Sequence, residues 1–216
     1  MNNRYKLVAF DMDGVLIDHE GSWTWANNKF GVHNKGEAFN LFKAGKITEI
    51  EYIRHDVGVW LKKYPNMNIA DVTDALRDVP LIKGIRETVA ALSRNGIRSV
   101  IVSGGIDKAA QMIAEEHGFD DYAANTILSY PDGRLTGEGR VNVDLTDKGI
   151  KTREFMKKYG AGKEETVAIG NSYYDVKMLD AAGLKIAFNP VDDDIINAAD
   201  KVVRSKSIAD ILDVIR

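Results

Sequence analysis

The sequence predicts an α/β fold, a doubly wound (Rossmann-like) parallel sheet with a small α-helical domain inserted after its first strand. Three observations carry this expectation. Four short apolar segments read as buried strands, helical periodicity separates the last three of them, and the stretch from Asp18 to Pro80 has helical periodicity with no convincing strand. The chain has 216 residues, 44% hydrophobic and 28% charged. That is ordinary globular usage at a length that suits one domain with an insertion. The expected division is a core of residues 1–17 plus 81–216, with a helical cap over 18–80.

The first strand is Leu7-Val8-Ala9-Phe10, short, apolar and bounded by polar residues. Within the insertion the clearest helix starts at Thr48, whose hydroxyl can cap while Glu51 reaches back as a capping box. Its apolar face is Ile50, Ile53, Val57, Trp60 and Leu61, and Pro65-Asn66 end it. A second short helix is expected over Asp71–Leu76. Trp23, Trp25 and Trp60 all fall in the insertion, where large aromatic rings serve as anchors of a small bundle. The second strand is Ser99-Val100-Ile101-Val102, followed by a helical pattern from Ile106 to His117. Between Tyr122 and Val141, two extended segments flank Pro131-Asp132-Gly133-Arg134, a hairpin signal. A helix over Lys151–Tyr159 precedes the third strand, Thr166-Val167-Ala168-Ile169, and the fourth is Lys185-Ile186-Ala187-Phe188. Asp192-Asp193-Asp194 then begins a solvated helix that ends near Ala199.

Composition excludes several classes of function. Without cysteine there is no disulfide, thiolate nucleophile or zinc ribbon. The net charge of −3, with signs interspersed, gives no nucleic-acid footprint. No apolar run approaches the ~20 residues needed to span a bilayer, and Met1-Asn2-Asn3-Arg4 leads into a strand without a signal-peptide core, so a cytoplasmic location is expected. His19, His33, His55 and His117 are scattered and make no metal-ligand pair at helical spacing.

In doubly wound sheets ligands gather at the carboxyl ends of strands, which here are followed by Asp11, Ser103 and Asn171. Asp11 and Asp13 place two carboxylates one residue apart. Their repulsion is relieved by a bound cation or by a raised pKa on one of them. Asp192 and Asp194 repeat the spacing, but in a loop where solvation suffices. Ser103-Gly104-Gly105 before a helix brings a hydroxyl and backbone N–H groups to a positive helix end, which suits phosphate or is simply a glycine-rich turn. Lys148 puts a cation near a helix start, where the dipole disfavours one. Asp175 lies one turn beyond the third strand. Oxygen donors without cysteine or clustered histidine favour Mg²⁺.

Taken in this order, Asp11-Met12-Asp13-Gly14-Val15, Ser103, Lys148 and the Gly170-Asn171…Asp175 segment resemble the haloacid dehalogenase superfamily of phosphotransferases. Within it the chain is most similar to the phosphoserine phosphatases, through Ser103-Gly104-Gly105-Ile106-Asp107, Asp132 to Gly137, Asp147-Lys148-Gly149 and Ala182 to Phe188. The resemblance implies a Mg²⁺-dependent phosphomonoesterase for a small-molecule phosphoester, as monomer or homodimer. It assigns catalysis to Asp11, Asp13, Ser103 and Lys148, metal ligation to Asp11, Asp13, Asn171 and Asp175, and phosphate binding to Ser103, Gly104, Gly105 and Lys148. Glu20 and Arg54 are the implied leaving-group contacts. Three positions depart from the pattern: the carboxylate-binding arginine falls at Asp56, the first metal-motif acid is Asn171, and the asparagine that follows is Tyr174. These departures leave two alternatives open, a sugar phosphate or phosphoglycolate as substrate, or a weakened phosphate-binding regulatory module.

Overall fold

The computed structural model describes residues 4–32 and 36–215, so the expectations placed on Met1–Asn3 and on His33 lie outside the described residues. Strand β1 (Leu7–Phe10) is buried along its whole length, as a central strand covered on both faces must be. Beyond it the chain enters four helices: α1 (Ser22–Lys29), α2 (Glu37–Lys43), α3 (Glu49–Lys63) and α4 (Ile69–Leu76). The α3 start is the expected capping box, in which Glu51 N–H donates to Thr48 Oγ1 at 3.4 Å and Thr48 N–H donates to Glu51 Oε2 at 2.7 Å. Asn68 caps α4, so that helix begins two residues before the expected Asp71. The chain leaves and re-enters the sheet layer side by side. Asp18 N–H donates to Pro80 O at 2.7 Å, and Ile82 N–H donates to Leu16 O at 2.8 Å.

Helix α5 (Ile85–Arg94) leads to β2 (Arg98–Ile106), and α6 (Asp107–His117) follows without a turn. The second strand is thus longer than the Ser99–Val102 segment expected, because pairing with the next strand resumes at Ile106 opposite Asn125 after an irregularity. Strands β3 (Asp121–Ser129) and β4 (Leu135–Arg140) form the expected antiparallel hairpin. Then come α7 (Lys148–Tyr159), β5 (Thr166–Gly170), a 3-10 turn over Tyr173–Asp175, α8 (Val176–Asp180) and β6 (Leu184–Phe188). Helix α9 (Asp193–Ala198) and β7 (Lys201–Val203) complete the sheet. The sequence did not mark β7, whose three residues are at an edge and largely exposed.

Seven strands among the described residues form one sheet in the order β4-β3-β2-β1-β5-β6-β7, parallel except for β3 with β4. Side chains of β1 alternate between two cores. Leu7 and Ala9 join Phe155 and Met178 on one face, while Val8 and Phe10 join a larger cluster that includes Trp23 and Trp60 of the inserted helices. The inserted helices therefore pack continuously with the sheet layer. Because β1 pairs with β2 on one side and β5 on the other, its carboxyl end is the switch point of the sheet. Among the described residues no helix is long and apolar enough to cross a membrane.

Candidate active site

The residues after β1, β2 and β5 meet at that switch point. Lys148, the first residue of α7, is only 3% exposed. Its Nζ donates to Asp11 Oδ1 and to Asp175 Oδ1, each at 2.7 Å. The local conflict of a lysine at a helix start is thus resolved by two carboxylates from two other elements. Burial works against the charged amine, but Asp11 and Asp175 outweigh it and raise its pKa, so the ammonium is held. Asp11 itself is raised, first by burial and next by Asp175, against the pull of Lys148. The other oxygen of Asp175 accepts from the backbone N–H groups of Asn171 at 2.9 Å and Ser172 at 3.1 Å. Asp175 is therefore fully engaged in orienting Lys148 and the β5 loop.

Asp13 is oriented by Ser22, a residue that the sequence reading did not single out. Ser22 N–H donates to Asp13 Oδ1 at 2.9 Å and Ser22 Oγ to Asp13 Oδ2 at 3.1 Å, while Ser22 Oγ accepts from Ile106 N–H at 3.1 Å. Burial raises the pKa of Asp13 despite the Ser22 N–H and hydroxyl. In the sequence Ser22 is only a small polar residue of the insertion, and nothing in its spacing ties it to Asp13.

Ser103 is buried within β2, three residues before its end, where its Oγ accepts from Gly105 N–H at 3.0 Å. The N–H groups of Gly105 and Ile106 are thus paired, where the sequence suggested open donors. Gly105 must be glycine for space, since a Cβ there would lie 2.6 Å from Asp13 Oδ2 and 2.5 Å from Ser22 Oγ. Gly104 O accepts from Trp23 Nε1 at 3.2 Å and Asn125 Nδ2 at 3.3 Å, which fixes this segment from the helical insertion and from β3.

Asn125 leads to a second missed residue. Its Oδ1 accepts from the backbone N–H of Asn142 and Val143, at 2.9 Å and 3.0 Å, so its amide must face the other way. Nδ2 there donates to Glu49 Oε1 at 2.7 Å, and Leu145 N–H donates to Glu49 Oε2 at 3.0 Å. Burial pushes Glu49 from the usual 4.5 up to about 7, against these two hydrogen bonds. The sequence showed Glu49 only as a first-turn acid.

Glu20 is exposed before α1, and Arg54 pairs with Glu138 of β4 at 2.6 Å, half-exposed. Among the described residues no hydrogen bond or ion pair links either to Asp11, Lys148 or Asp175. Asp56 is buried among the inserted helices, where it accepts from Asn27 Nδ2 at 3.1 Å; Asn27 Oδ1 in turn accepts from Trp60 Nε1. Trp25 Nε1 reaches Ala75 O, so each of the three tryptophans holds a hydrogen bond within or beneath the insertion. Asp192, expected to be merely solvated, caps α9 and accepts from Tyr173 N–H at 2.7 Å.

Among the described residues no three histidine, aspartate or glutamate side chains form a ready metal cage. The donors nevertheless fit Mg²⁺. Three carboxylates, Asp11, Asp13 and Asp175, face one ammonium, and Asp11 is raised by burial first and then by the charges of Asp175 and Asp13. Asn171 adds an amide beside them: a Cβ on Gly14, whose φ is +81°, would lie 2.0 Å from Asn171 Nδ2. The set is oxygen-rich and lacks sulfur and imidazole.

The model of the haloacid dehalogenase-like hydrolases matches residues 5–183. A phosphoserine phosphatase of Methanocaldococcus jannaschii is 33% identical over 190 residues, 87% of each chain. Phosphoserine phosphatase SerB2 of Mycobacterium tuberculosis is 34% identical over 186 residues, 85% of this chain, which spans only 44% of that protein. A solved phospho-aspartyl intermediate analogue of phosphoserine phosphatase superposes with a TM-score of 0.81 at 30% identity, covering 99% of this chain and 100% of that one. An apo phosphoserine phosphatase gives 0.82 at 29% identity, covering 98% and 100%.

Proposed function

The chain belongs to the haloacid dehalogenase-like hydrolases, and we propose that it is a phosphoserine phosphatase-like phosphomonoesterase for a small phosphoester, working with Mg²⁺ through a phosphorylated Asp11. The observation that carries the reading is the Lys148 bridge between Asp11 and Asp175 beside an Asp13 gripped by Ser22. The domain division fits it, with residues 18–80 acting as a cap whose α1 and α3 reach the strand ends through Ser22, Trp23 and Glu49. A cytoplasmic location belongs to the same proposal.

Asp11, at the end of a rigid central strand, is the nucleophile toward phosphorus. Asp13, whose carboxyl burial shifts toward the protonated form, gives a proton to the leaving oxygen and then accepts one from the attacking water. Ser22 suits both states, because its hydroxyl rotates between donating to and accepting from Asp13 while its N–H stays fixed. Lys148 offers its remaining donor capacity to the phosphoryl oxygens, and Ser103 with the backbone at Gly104 and Gly105 lines the same seat. Asp11, Asp13 and Asn171 would hold Mg²⁺, which when bound supplies positive charge to the phosphoryl group and to Asp11. Asp175, expected among the metal ligands, is given a positioning role instead, because its two oxygens already accept from Lys148 and from the Asn171 and Ser172 N–H groups.

The test is phosphate release from a generic aryl phosphate and from L-phosphoserine across a Mg²⁺ titration. Release that needs Mg²⁺ and is lost in Asp11→Asn supports the reading. Inorganic phosphate binding without cleavage of any ester at saturating Mg²⁺ would replace it with a phosphate-binding module.

A further inference from the structure

The segment 142–147 delivers Lys148 to the site, and its anchorage is shared between the sheet and the inserted helices. Lys148 is the first residue of α7, so its own N–H has no place in the helix ladder, and the Asp147 side chain makes no cap bond. The preceding turn fixes it instead, with Thr146 N–H donating to Asp144 Oδ1 at 2.7 Å and Asp147 N–H to Asp144 O at 3.2 Å. Two side chains hold that turn. Asn125 of β3 accepts from Asn142 and Val143 N–H, and Glu49, the first residue of α3, accepts from Leu145 N–H.

Glu49 also reaches the phosphate side of the site. Its Oε1 accepts from the same Asn125 nitrogen that donates to Gly104 O. The Leu145 side chain closes the circuit, since a Cβ on Gly104 would run into its Cδ2. Glu49 and Asn125 are both buried, so water does not readily replace either bond. We infer that Glu49 is a positioning residue for phosphoryl transfer, one that ties the placement of Lys148 and Gly104 to the seating of the inserted helices and so acts on every ester alike. This rests on the phosphomonoesterase reading above. A glutamate side chain has an oxygen for each of its two donors in either protonation state, whereas glutamine has a single oxygen and turns its NH₂ toward one of them. Glu49→Gln therefore keeps the volume and breaks one arm of the circuit.

The test is steady-state hydrolysis of an aryl phosphate at saturating Mg²⁺ by wild type, Glu49→Gln and Asn68→Ala, with inhibition by inorganic phosphate and by orthovanadate, which mimics five-coordinate phosphorus. Asn68→Ala removes the α4 cap and a bond to Asp132 O, loosening the insertion away from the turn before Lys148. In Glu49→Gln, kcat should fall about tenfold or more with KM changed by less than about threefold, the mark of geometry needed in the transition state. Orthovanadate inhibition should weaken by the same factor as kcat, and phosphate inhibition by less than about threefold. Asn68→Ala should change none of these by more than about threefold. A kcat within about threefold of wild type in a cooperatively folded Glu49→Gln would overturn the inference. So would a loss confined to KM, which makes Glu49 a substrate contact, or an equal loss of kcat in Asn68→Ala, which makes the effect a general loosening. In each of these cases aryl hydrolysis by the wild type leaves the phosphomonoesterase reading standing, whereas a wild type that cleaves no ester removes both.

Discussion

Replacing Glu49 with Gln should flatten part of the dependence of stability on pH. In the folded chain Glu49 keeps its proton up to about pH 7, because burial outweighs the Asn125 and Leu145 hydrogen bonds; in the unfolded chain it loses it near 4.5. Between those values the folded state binds more protons, so stability falls as pH rises. The contribution is harmless below 4.5 and fully unfavourable above about 7. At about 1.36 kcal/mol per pH unit the cost reaches about 3 kcal/mol. Asp11, Asp13 and Asp107 are raised too and titrate in overlapping ranges, so the difference between the two proteins is the useful quantity. Urea unfolding of wild type and Glu49→Gln, at steps from about pH 4.5 to 8.5, should show the variant gaining about 3 kcal/mol relative to wild type across the series. A difference constant to within about 0.5 kcal/mol, or one that moves toward wild type as pH rises, would mean that the two hydrogen bonds keep the carboxylate ionised and that burial does not dominate.

Three further outcomes follow from the same geometry. Ser22→Ala removes a donor to Asp13 and leaves Ile106 N–H without its acceptor, so it should cost about 1–3 kcal/mol by urea unfolding and move the Asp13-dependent limb of the pH–rate profile upward. An unmoved limb would separate Ser22 from the acid. Asp13→Asn should slow alkyl phosphates far more than aryl phosphates in steady-state assays, since only poor leaving groups need a strong acid; equal losses would argue against the acid role. Asn171→Asp restores a negative charge beside Asp11 and should lower the half-saturating Mg²⁺ by about tenfold or more, read by isothermal titration or by activity, and an unchanged value would take Asn171 out of the metal shell.

The sheet and the strand-end residues were legible because both depend on short-range pattern. Leu7–Phe10 and Thr166–Ile169 are buried on both faces and read as apolar runs, and the acids and the serine that matter stand directly after such runs. Lys148 could be flagged for its place at a helix start, yet only the fold shows that Asp11 and Asp175 converge on it from 137 and 27 residues away. Ser22 and Glu49 were missed for the same reason. Their partners lie on other elements, and in sequence they look like a small polar residue and a first-turn acid. Arg54 shows the converse: proximity in sequence to the expected position suggested a substrate contact, while Glu138 on β4 supplies a nearer counter-charge.

The account stands or falls on Asp11 as nucleophile. Mixing the protein with an aryl phosphate and Mg²⁺, quenching in acid and mapping peptides by mass spectrometry tests it directly. A hydroxylamine-labile phosphoryl group on Asp11, absent from Asp11→Asn, is the predicted result. Phosphate release at the wild-type rate from a folded Asp11→Asn protein, or a phosphoryl group on any other residue, would contradict it.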